Sequence, residues 1–358
     1  MKLWIDGHRL TSRRTGVGRV LELLLDEWSA TGWPLPRPTL VTQEPVEPRR
    51  WFGLDVVSRG SRLPGVIWRH TVLAPLVRPG DLLFCPTNLL PRTLASRRVL
   101  FVFDTLLETV PHTFSNRVRA RFRGRYRSSA RRASLVLVPS QATRRDVVDR
   151  LGVDPGRIRV APLAVDPIFE PDAAARLTPR THDPVAVPTL LVVGKRSKRR
   201  GFESTLAAFA AFREEAPRAR LVVVGPGDEP IPSVEGLVAF PHLPDLELAH
   251  LYQSAFALIY LSEYEGFGLP IVEAQASGCP VVTSRGGALT ETAGDAALFV
   301  EPHDADALAQ ALLRLLRESG LREQLASSGL QNAARFRRDR FAADVARFLR
   351  DEAARATT

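Results

Sequence analysis

Residues 256–284 read FALIYLSEYEGFGLPIVEAQASGCPVVTS, and this stretch decides the fold. Its two ends, 256–261 and 279–284, are short and largely apolar, which is typical of strands buried on both faces of a parallel sheet. Between them lies a loop containing Gly266 and Gly268. We expect a helix to begin near Pro270, because proline suits the first turn of a helix. This order of elements predicts a parallel sheet flanked by helices.

Short apolar stretches alternate with longer amphipathic ones along the chain, which indicates an α/β protein. The tail from about Asp304 has a strongly helical pattern, and helices are also predicted over 204–216 and 249–256. The remaining candidate strands are residues 2–6, 81–85, 98–103, 134–139, 189–194 and 220–225.

One stretch, residues 171–188, interrupts this alternation. It contains four prolines and no apolar periodicity, which is typical of a linker between domains. The length of 358 residues also favours two domains over one. We therefore predict two Rossmann-like, doubly wound domains over 1–170 and 189–335, facing a central cleft. A C-terminal helix over 336–358 is expected to pack back on the first domain.

The composition, 45% hydrophobic and 25% charged residues, is that of a globular protein. No apolar run approaches the roughly 18–20 residues that span a bilayer. The first ten residues carry charge, so a signal peptide is not expected and a cytoplasmic location fits. Cys85 and Cys279 lie far apart without further ligands, which argues against a disulfide framework or a zinc site. The net charge of +10 favours a polyanionic neighbour, and nucleic acid, anionic lipid and phosphate-bearing substrates all qualify.

The loop between the strand and the helix of 256–284 predicts a binding site for phosphate. Gly266 and Gly268 allow the backbone to approach an anion, and the helix N-terminus offers unpaired N–H groups and a positive dipole end. Glu273, a turn further on, is placed to accept both hydroxyls of a ribose, and Glu265 to meet a sugar beyond the phosphates. By itself, Gly-x-Gly is more often a plain tight turn, so both interpretations of the loop stay open at this point.

The complete segment 262–282 closely resembles the E-x7-E signature of the family-4 (group 1) retaining glycosyltransferases, and the match continues to residue 302. Three further stretches agree in order and spacing: TGVGR at 15–19, residues 132–169, and VVGKRSKRRGF at 192–202. The resemblance covers nearly the whole chain. It implies the two-domain GT-B fold, a nucleotide-diphosphate-sugar donor and retention of anomeric configuration. It leans toward bacterial mannosyltransferase-like enzymes of surface-polysaccharide assembly.

This resemblance also implies roles for individual residues. Lys195 and Arg200 would neutralise the donor diphosphate, in the reverse order of the Arg and Lys usual in the family. Arg196 and Arg199 are adjacent, so the exact pair stays open. Glu265 would hydrogen-bond a hydroxyl of the transferred sugar and is, with the two cations, a predicted catalytic group. The predicted donor-binding residues are Gly16, Gly18, Gly266, Phe267, Gly268, Leu269 and Glu273.

The reaction implied by the resemblance needs neither a metal nor another cofactor. The leaving phosphate oxygen takes the acceptor proton, so catalysis depends on positioning and on electrostatic stabilisation of the departing diphosphate. The D-x-D of Asp304 and Asp306 follows a proline and opens a helical pattern, so we interpret it as a helix cap rather than a metal site.

One position departs from the family pattern. The family commonly has His-Asp-Leu after a first-domain strand, with the histidine meeting the donor sugar, whereas this chain has Phe103-Asp104-Thr105. Two functional hypotheses follow. The first is an active hexosyltransferase that uses a GDP- or UDP-linked sugar and a glycan or lipid-linked acceptor. The alternative is a catalytically impaired GT-B relative that binds a nucleotide sugar or supports a partner transferase.

Two other enzyme classes are disfavoured by the residues present. Nucleotide-sugar epimerases share the fold but use histidine and carboxylates as acid–base groups, and histidine is scarce in the predicted site. An unrelated dinucleotide-binding enzyme is disfavoured because no G-x-G-x-x-G with a distal acid follows a strand.

The residues Arg117–Arg132 contain eight arginines. Only Arg119 points toward an apolar stripe that runs at helical spacing along this segment. Two interpretations stay open: a solvated face over a buried stripe, or a helix that docks on anionic lipid headgroups at the inner face of a membrane. Nucleic acid is not expected, because no recognised motif accompanies the charge. The stripe consists of Val118, Phe122, Tyr126 and Ala130.

Overall fold

The computed structural model describes residues 1–10, 16–46, 51–60, 63–93, 97–170, 187–227 and 229–355. The chain divides into two compact units, one formed by Met1–Ala164 with Arg338–Thr358 and the other by Val165–Arg337. The linker predicted over 171–188 lies, except for its last two residues, outside the described residues.

The first unit is built on a parallel sheet of seven strands in the order β3-β2-β1-β4-β5-β6-β7. Strands β1, β4, β5 and β6 coincide with predicted strands. The other three were not recognised in the sequence because they lack an extended apolar run. The strands are β1 Leu3–Asp6, β2 Thr39–Thr42, β3 Asp55–Ser58, β4 Leu82–Cys85, β5 Arg97–Phe101, β6 Leu135–Val138 and β7 Ile158–Val160.

Helices connect these strands, and their ends follow local sequence signals. The sixth helix begins after Ser140, whose hydroxyl accepts a hydrogen bond from the N–H of Thr143 at 3.0 Å, and it ends at Gly152 in the left-handed conformation. A π-helical stretch, Arg69–Leu73, joins α2 to α3. The helices are α1 Gly16–Thr31, α2 Gly65–Trp68, α3 Ala74–Leu76, α4 Leu106–Thr109, α5 Asn116–Arg132 and α6 Gln141–Leu151.

The second unit is built on a parallel sheet of six strands in the order β10-β9-β8-β11-β12-β13. Strands β8, β9, β11 and β12 confirm predicted strands. Strand β10 was not recognised in the sequence because it lies at the sheet edge with alternating half-buried and exposed residues. The strands are β8 Thr189–Val193, β9 Arg220–Val224, β10 Leu237–Phe240, β11 Ala257–Tyr260, β12 Val281–Thr283 and β13 Leu298–Phe299.

The helices of the second unit pack on both faces of this sheet, as parallel strands require. The helix predicted over 204–216 is confirmed within two residues, whereas the one predicted over 249–256 begins four residues earlier, at Asp245. The helices are α7 Phe202–Glu215, α8 Asp245–Ser254, α9 Leu269–Ala276, α10 Leu289–Ala293, α11 Ala305–Arg317 and α12 Leu321–Ala333.

The last helix, α13 (Arg338–Ala354), packs in the first unit. The indole N–H of Trp28 donates to the carbonyl of Ala342 at 2.9 Å, and Arg338 forms an ion pair with Glu27 at 2.7 Å. Because the Trp28 side chain is fully buried, this hydrogen bond fixes α13 against α1.

The strand order reverses in each sheet, between β1 and β4 in the first and between β8 and β11 in the second. In open parallel sheets, ligands bind outside the carboxyl ends of the strands at this reversal. The two loops that leave β8 and β11, residues 194–201 and 261–268, are therefore where the second unit should bind a ligand.

Candidate functional site

The loop after β8 reverses direction, so that Arg200 near its end lies against Gly194 at its start. Gly194 has a φ of +111°, and the following residues Lys198–Arg200 form a single 3-10 turn. A Cβ atom on Gly194 would overlap the Nη1 atom of Arg200. Glycine at position 194 therefore allows the Arg200 guanidinium to lie at the end of the strand.

Two arginines of this loop converge on one carboxylate. The Oε1 atom of Glu265 accepts hydrogen bonds from Arg199 and, at 2.9 Å, from the Nη2 atom of Arg200. Arg199 also donates to the hydroxyl of Ser262 at 2.6 Å, and Arg200 to the hydroxyl of Tyr260 at 3.1 Å. These contacts join residues that lie 60 to 66 positions apart in the chain, and they form a compact charged cluster.

The cluster is largely shielded from solvent, with side-chain exposures of 12% for Glu265, 13% for Arg199 and 17% for Arg200. Burial by itself raises the pKa of the Glu265 carboxyl, but the nearby charges of Arg200 and Arg199 outweigh it, so the net effect lowers that pKa. Glu265 is therefore ionised near neutral pH and carries one negative charge between two positive ones.

Glycines from a second loop hold the backbone of Glu265. Its carbonyl accepts a hydrogen bond from the N–H of Ala288 at 2.9 Å, and it pairs with Gly287 in a short parallel bridge. A Cβ on Gly287 would overlap the Glu265 carbonyl oxygen, so only glycine permits this approach. The Gly286-Gly287 pair is the sequence signal for this support.

The loop before α9 has the form predicted for a phosphate cradle. The helix begins at Leu269 with Pro270 in its first turn, which confirms the prediction, and Gly268 precedes it with a φ of +104°. Phe267 is buried, and its carbonyl accepts a hydrogen bond from Thr292 at 2.7 Å. This bond fixes the loop where the first N–H groups of the helix have no intrahelical partner.

Glu273 lies deeper than its predicted role suggests. It is only 2% exposed, and its carboxylate accepts a hydrogen bond from the hydroxyl of Tyr252 at 3.1 Å. Tyr252 was not singled out in the sequence, because nothing local links it to Glu273. The contact of Glu273 with a ribose stays a prediction, as does the role of Gly266.

The cations of the loop 194–201 have different neighbours. Lys195 is exposed, with its aliphatic stem against Gly227. Arg196 forms an ion pair with Glu203 at 2.6 Å and lies over the ring of Phe202 at 4.9 Å. The structure therefore brings Arg199 and Arg200 to Glu265, but not Lys195 or Arg196. The sequence left open which two cations form the functional pair, and the structure adds Arg199 to the predicted Arg200.

The remaining predicted donor contacts, Gly16 and Gly18, belong to the first unit. Gly16 is the first residue of α1 and is exposed, whereas Gly18 is buried within the first turn of the same helix. Their contact with a donor phosphate stays a prediction.

Phe103 takes part in aromatic packing at the end of β5. Its ring stacks on that of Phe101, with centroids 4.5 Å apart and planes inclined by 18°. It lines a cavity of about 290 Å³ together with Phe122 and Tyr126 of α5. His112, the next imidazole along the chain, is exposed.

The helix cap predicted at Asp304 is confirmed. Asp304 caps α11, and its Oδ1 atom accepts a hydrogen bond from the N–H of Ala307 at 2.8 Å. Among the residues that the structure describes, no three His, Cys, Asp or Glu side chains are placed to hold a metal ion together.

The basic segment forms α5, but its apolar stripe is only partly covered. Ala130 is fully buried, whereas Val118 is 36% exposed. Arg123 and Arg127 of this helix form ion pairs with the buried Glu108 at 2.6 and 3.7 Å. Part of the positive charge of α5 is therefore paired with a buried carboxylate. None of the helices in the described ranges is long and apolar enough to cross a membrane.

Comparison with known families places these features in context. Residues 180–332 match the family described as glycosyl transferases group 1, and residues 15–169 match glycosyltransferase family 4. The two matches together span most of the chain, and residues 180–332 belong to the group 1 glycosyltransferases. The first match contains the complete charged cluster and the loop before α9, which are thus parts of a glycosyltransferase domain.

Curated relatives of this chain carry related names. The D-inositol 3-phosphate glycosyltransferase of Acidothermus cellulolyticus is 33% identical over 60% of this chain and 52% of its own. The O-antigen chain mannosyltransferase B of Escherichia coli is 30% identical over 57% of each chain. The MMP alpha-(1->4)-mannosyltransferase of Mycolicibacterium hassiacum is 33% identical over 57% of this chain and 50% of its own. The chain spans about half the length of the curated relatives it matches.

Solved structures share the fold at low sequence identity. Sucrose-phosphate synthase from Thermosynechococcus elongatus has a TM-score of 0.77 at 20% identity, and the match covers 99% of both chains. Anabaena HepE, solved in complex with UDP-glucose, has a TM-score of 0.72 at 16% identity, covering 98% of this chain and 100% of its own. These similarities confirm the predicted GT-B fold of two Rossmann-like domains.

Proposed function

We propose that this chain is a retaining glycosyltransferase that moves a hexose from a nucleotide-diphosphate sugar to a glycan or lipid-linked acceptor in polysaccharide or glycolipid biosynthesis. The proposal rests chiefly on the shielded cluster of Arg199, Arg200 and Glu265 beside the glycine loop 266–268. Cations and a helix N-terminus at the reversal of a parallel sheet suit a diphosphate, and a fixed carboxylate suits a sugar hydroxyl.

The cluster accounts for the chemistry without a general base from the protein. Two guanidiniums and one carboxylate leave a net positive charge that a donor diphosphate would balance. As the bond from the sugar to the diphosphate breaks, negative charge grows on the leaving oxygen, and Arg200, Lys195 and the first N–H groups of α9 stabilise it. The leaving oxygen then takes the proton of the acceptor hydroxyl. Glu265 holds the sugar in place through a hydroxyl group.

Mannose is the hexose that we propose first. Two of the relatives named above are mannosyltransferases, while the HepE complex contains UDP-glucose. The donor base is therefore proposed as guanine or uracil, and the two are separated by experiment. No metal or other cofactor is proposed.

The test is a thermal-shift titration of the purified protein with GDP, UDP and ADP and with their mannose and glucose conjugates. At 100 times its dissociation constant, a ligand stabilises the folded protein by about 2.7 kcal/mol, which gives a readily measured rise in melting temperature. The same titration with Glu273→Ala reports the predicted ribose contact. A rise with one nucleotide that is lost in the variant supports the donor site, and no rise with any nucleotide refutes it.

Turnover separates the two functional hypotheses. A protein that binds a nucleotide sugar and releases nucleoside diphosphate in the presence of acceptor is an active transferase. The alternative hypothesis, a catalytically impaired GT-B relative, is kept because of Phe103. Its ring packs on Phe101 at the position where the family commonly has histidine. Binding without turnover, with any acceptor tried, would support the impaired relative.

We also propose that α5 contacts an anionic membrane at the inner face. Arg117 and Arg121 are exposed next to the partly exposed Val118, an arrangement that suits headgroups and the acyl boundary. Co-sedimentation with vesicles containing phosphatidylglycerol should fall in the Arg117→Ser/Arg121→Ser variant. Equal co-sedimentation of the variant and the unmodified protein would contradict this contact.

A further inference from the structure

The first unit contains a second, separate cavity of about 380 Å³. It lies between the π-helical stretch Arg69–Leu73 and α5, and it is also lined by residues of the segment 89–92, which follows β4. The N–H of Leu90 donates to the hydroxyl of Ser129 at 3.0 Å across its floor, which fixes that segment to the helix. The volume is within the range of pockets that hold small molecules.

The lining of this cavity is strongly basic. Arg92, Arg125 and Arg132 all line it, and among the described residues no Asp or Glu does so. Arg132 donates to the carbonyls of Leu90 and Pro91 at 3.0 and 3.4 Å, so backbone dipoles rather than a carboxylate hold it. Burial lowers the pKa of Arg132, and the positive charges of Arg92 and Arg98 lower it further.

Arg69 contributes a buried donor without a partner. Its side chain is 4% exposed, its Nε atom is 2.5 Å from the carboxylate of Asp6, and its Nη1 atom donates to the carbonyl of Gly65 at 3.2 Å. Its Nη2 atom is also buried, yet it has no hydrogen-bond partner among the residues that the structure describes. Buried polar groups are normally paired, so Arg69, whose side chain lines the cavity, carries one donor that the described residues leave unused.

Most neighbouring arginines of α5 have partners within the protein. Arg123 and Arg127 pair with Glu108, and Arg131 donates to the carbonyl of Leu151 at 2.8 Å. Arg125 is exposed and makes no ion pair within the described ranges of the chain. The cavity is therefore where α5 and the segment after β4 leave positive charge uncompensated.

We propose that this cavity binds the phosphate or diphosphate group of a small molecule through Arg69, Arg92, Arg125 and Arg132. Guanidinium groups bind phosphate oxygens in pairs, and four of them around one space match a phosphate monoester or a diphosphate better than a carboxylate. If the proposed function holds, this group belongs to the acceptor, which is then a phosphorylated polyol or a diphosphate-linked lipid. The binding of the anion itself does not depend on that function.

The test uses arginine-specific labelling with phenylglyoxal, read out by peptide mass spectrometry. Three probes are compared: inorganic pyrophosphate, glycerol 3-phosphate and monomeric dihexanoyl phosphatidic acid. We expect saturable protection of Arg92 and Arg125. With the two soluble phosphates, Arg117 and Arg121 should stay unprotected because they do not line the cavity. Protection by the soluble phosphates assigns a free phosphate ligand, and protection by the short-chain lipid alone assigns a lipid headgroup.

Matched variants check that the protection reflects this cavity. Arg92→Ser/Arg125→Ser lacks the labelled arginines, so its dissociation constant for the protecting probe is measured by titration calorimetry. We expect this constant to rise about tenfold or more, because two charged donors are lost. Arg117→Ser/Arg121→Ser removes the same charge outside the cavity and should leave the constants for pyrophosphate and glycerol 3-phosphate unchanged. The protection should also persist in Glu273→Ala, so failure of the donor site is distinguished from failure of this one. No protection by any probe, or equal losses in the two double variants, would overturn the proposal.

Discussion

Replacing Glu265 by glutamine tests the charged cluster most directly. The variant keeps the size of the side chain and one acceptor oxygen, but it leaves Arg199 and Arg200 without their shared counter-charge. Removing one partner of a buried ion pair costs about 3–5 kcal/mol, and the slight exposure of these side chains favours the lower end of that range. For a unit of roughly 170 residues, about 3 kcal/mol corresponds to a fall in melting temperature of about 6–12 °C.

The measurement is thermal unfolding at neutral pH, with Glu203→Gln as the matched control. Glu203 pairs with Arg196 in the same loop, but its side chain is 75% exposed, so its loss should change stability by no more than about 1 kcal/mol. Equal melting temperatures for Glu265→Gln, Glu203→Gln and the unmodified protein would refute the reasoning, because the cluster would then contribute nothing to stability.

The pH dependence of this difference provides a second check. A carboxyl whose folded-state pKa is lowered stabilises the folded protein above its unfolded-state pKa, which is about 4.3 for glutamate. That stability is lost as the pH falls from there through the folded-state pKa, where the protonated carboxyl is as neutral as glutamine. The difference in free energy of unfolding between the unmodified protein and Glu265→Gln should therefore be constant near neutral pH. It should become smaller below pH of about 4.3.

Three further changes have defined outcomes. Gly194→Ala should displace Arg200, because a Cβ would overlap its guanidinium, and should weaken nucleotide-sugar binding about tenfold or more, measured by titration calorimetry. Phe103→His should raise turnover of the nucleotide sugar in a coupled nucleotide-release assay, because it restores the imidazole usual in the family. Tyr252→Phe removes the hydrogen bond to Glu273 and should destabilise the protein by about 1 kcal/mol in urea unfolding.

The first two of these changes have matched control variants, and each of the three has an outcome that would contradict it. Gly278→Ala shares a positive φ, but its Cβ would meet nothing within 4 Å, so it tests backbone strain without moving an arginine. Unchanged binding in Gly194→Ala would contradict the placement of Arg200. Phe103→Leu separates loss of the stack on Phe101 from gain of the imidazole, and equal turnover in both variants would argue against a role for histidine there. An unchanged urea midpoint in Tyr252→Phe would show that the Glu273 bond adds no stability.

The long buried strands and the loop before α9 were predictable from the sequence because their signals are local. An apolar run such as 256–261 forms a buried strand wherever it lies in the sheet. Gly268 and Pro270 shape the backbone of the helix start through their own conformational limits, and these limits do not depend on distant residues. Strands such as β7 and β10 are too short or too exposed to give such a signal.

The sequence by itself therefore determined the α/β class, the two parallel sheets and the position of the glycine loop and its two glutamates. Only the tertiary structure decided which cations meet Glu265. Four candidates lie within six residues of the chain, and the left-handed turn at Gly194 together with the pairing of β8 and β11 selects Arg199 and Arg200. The contact of Tyr252 with Glu273 was decided in the same way. Such contacts depend on which strands become neighbours, and that is a property of the whole packed sheet rather than of any local pattern.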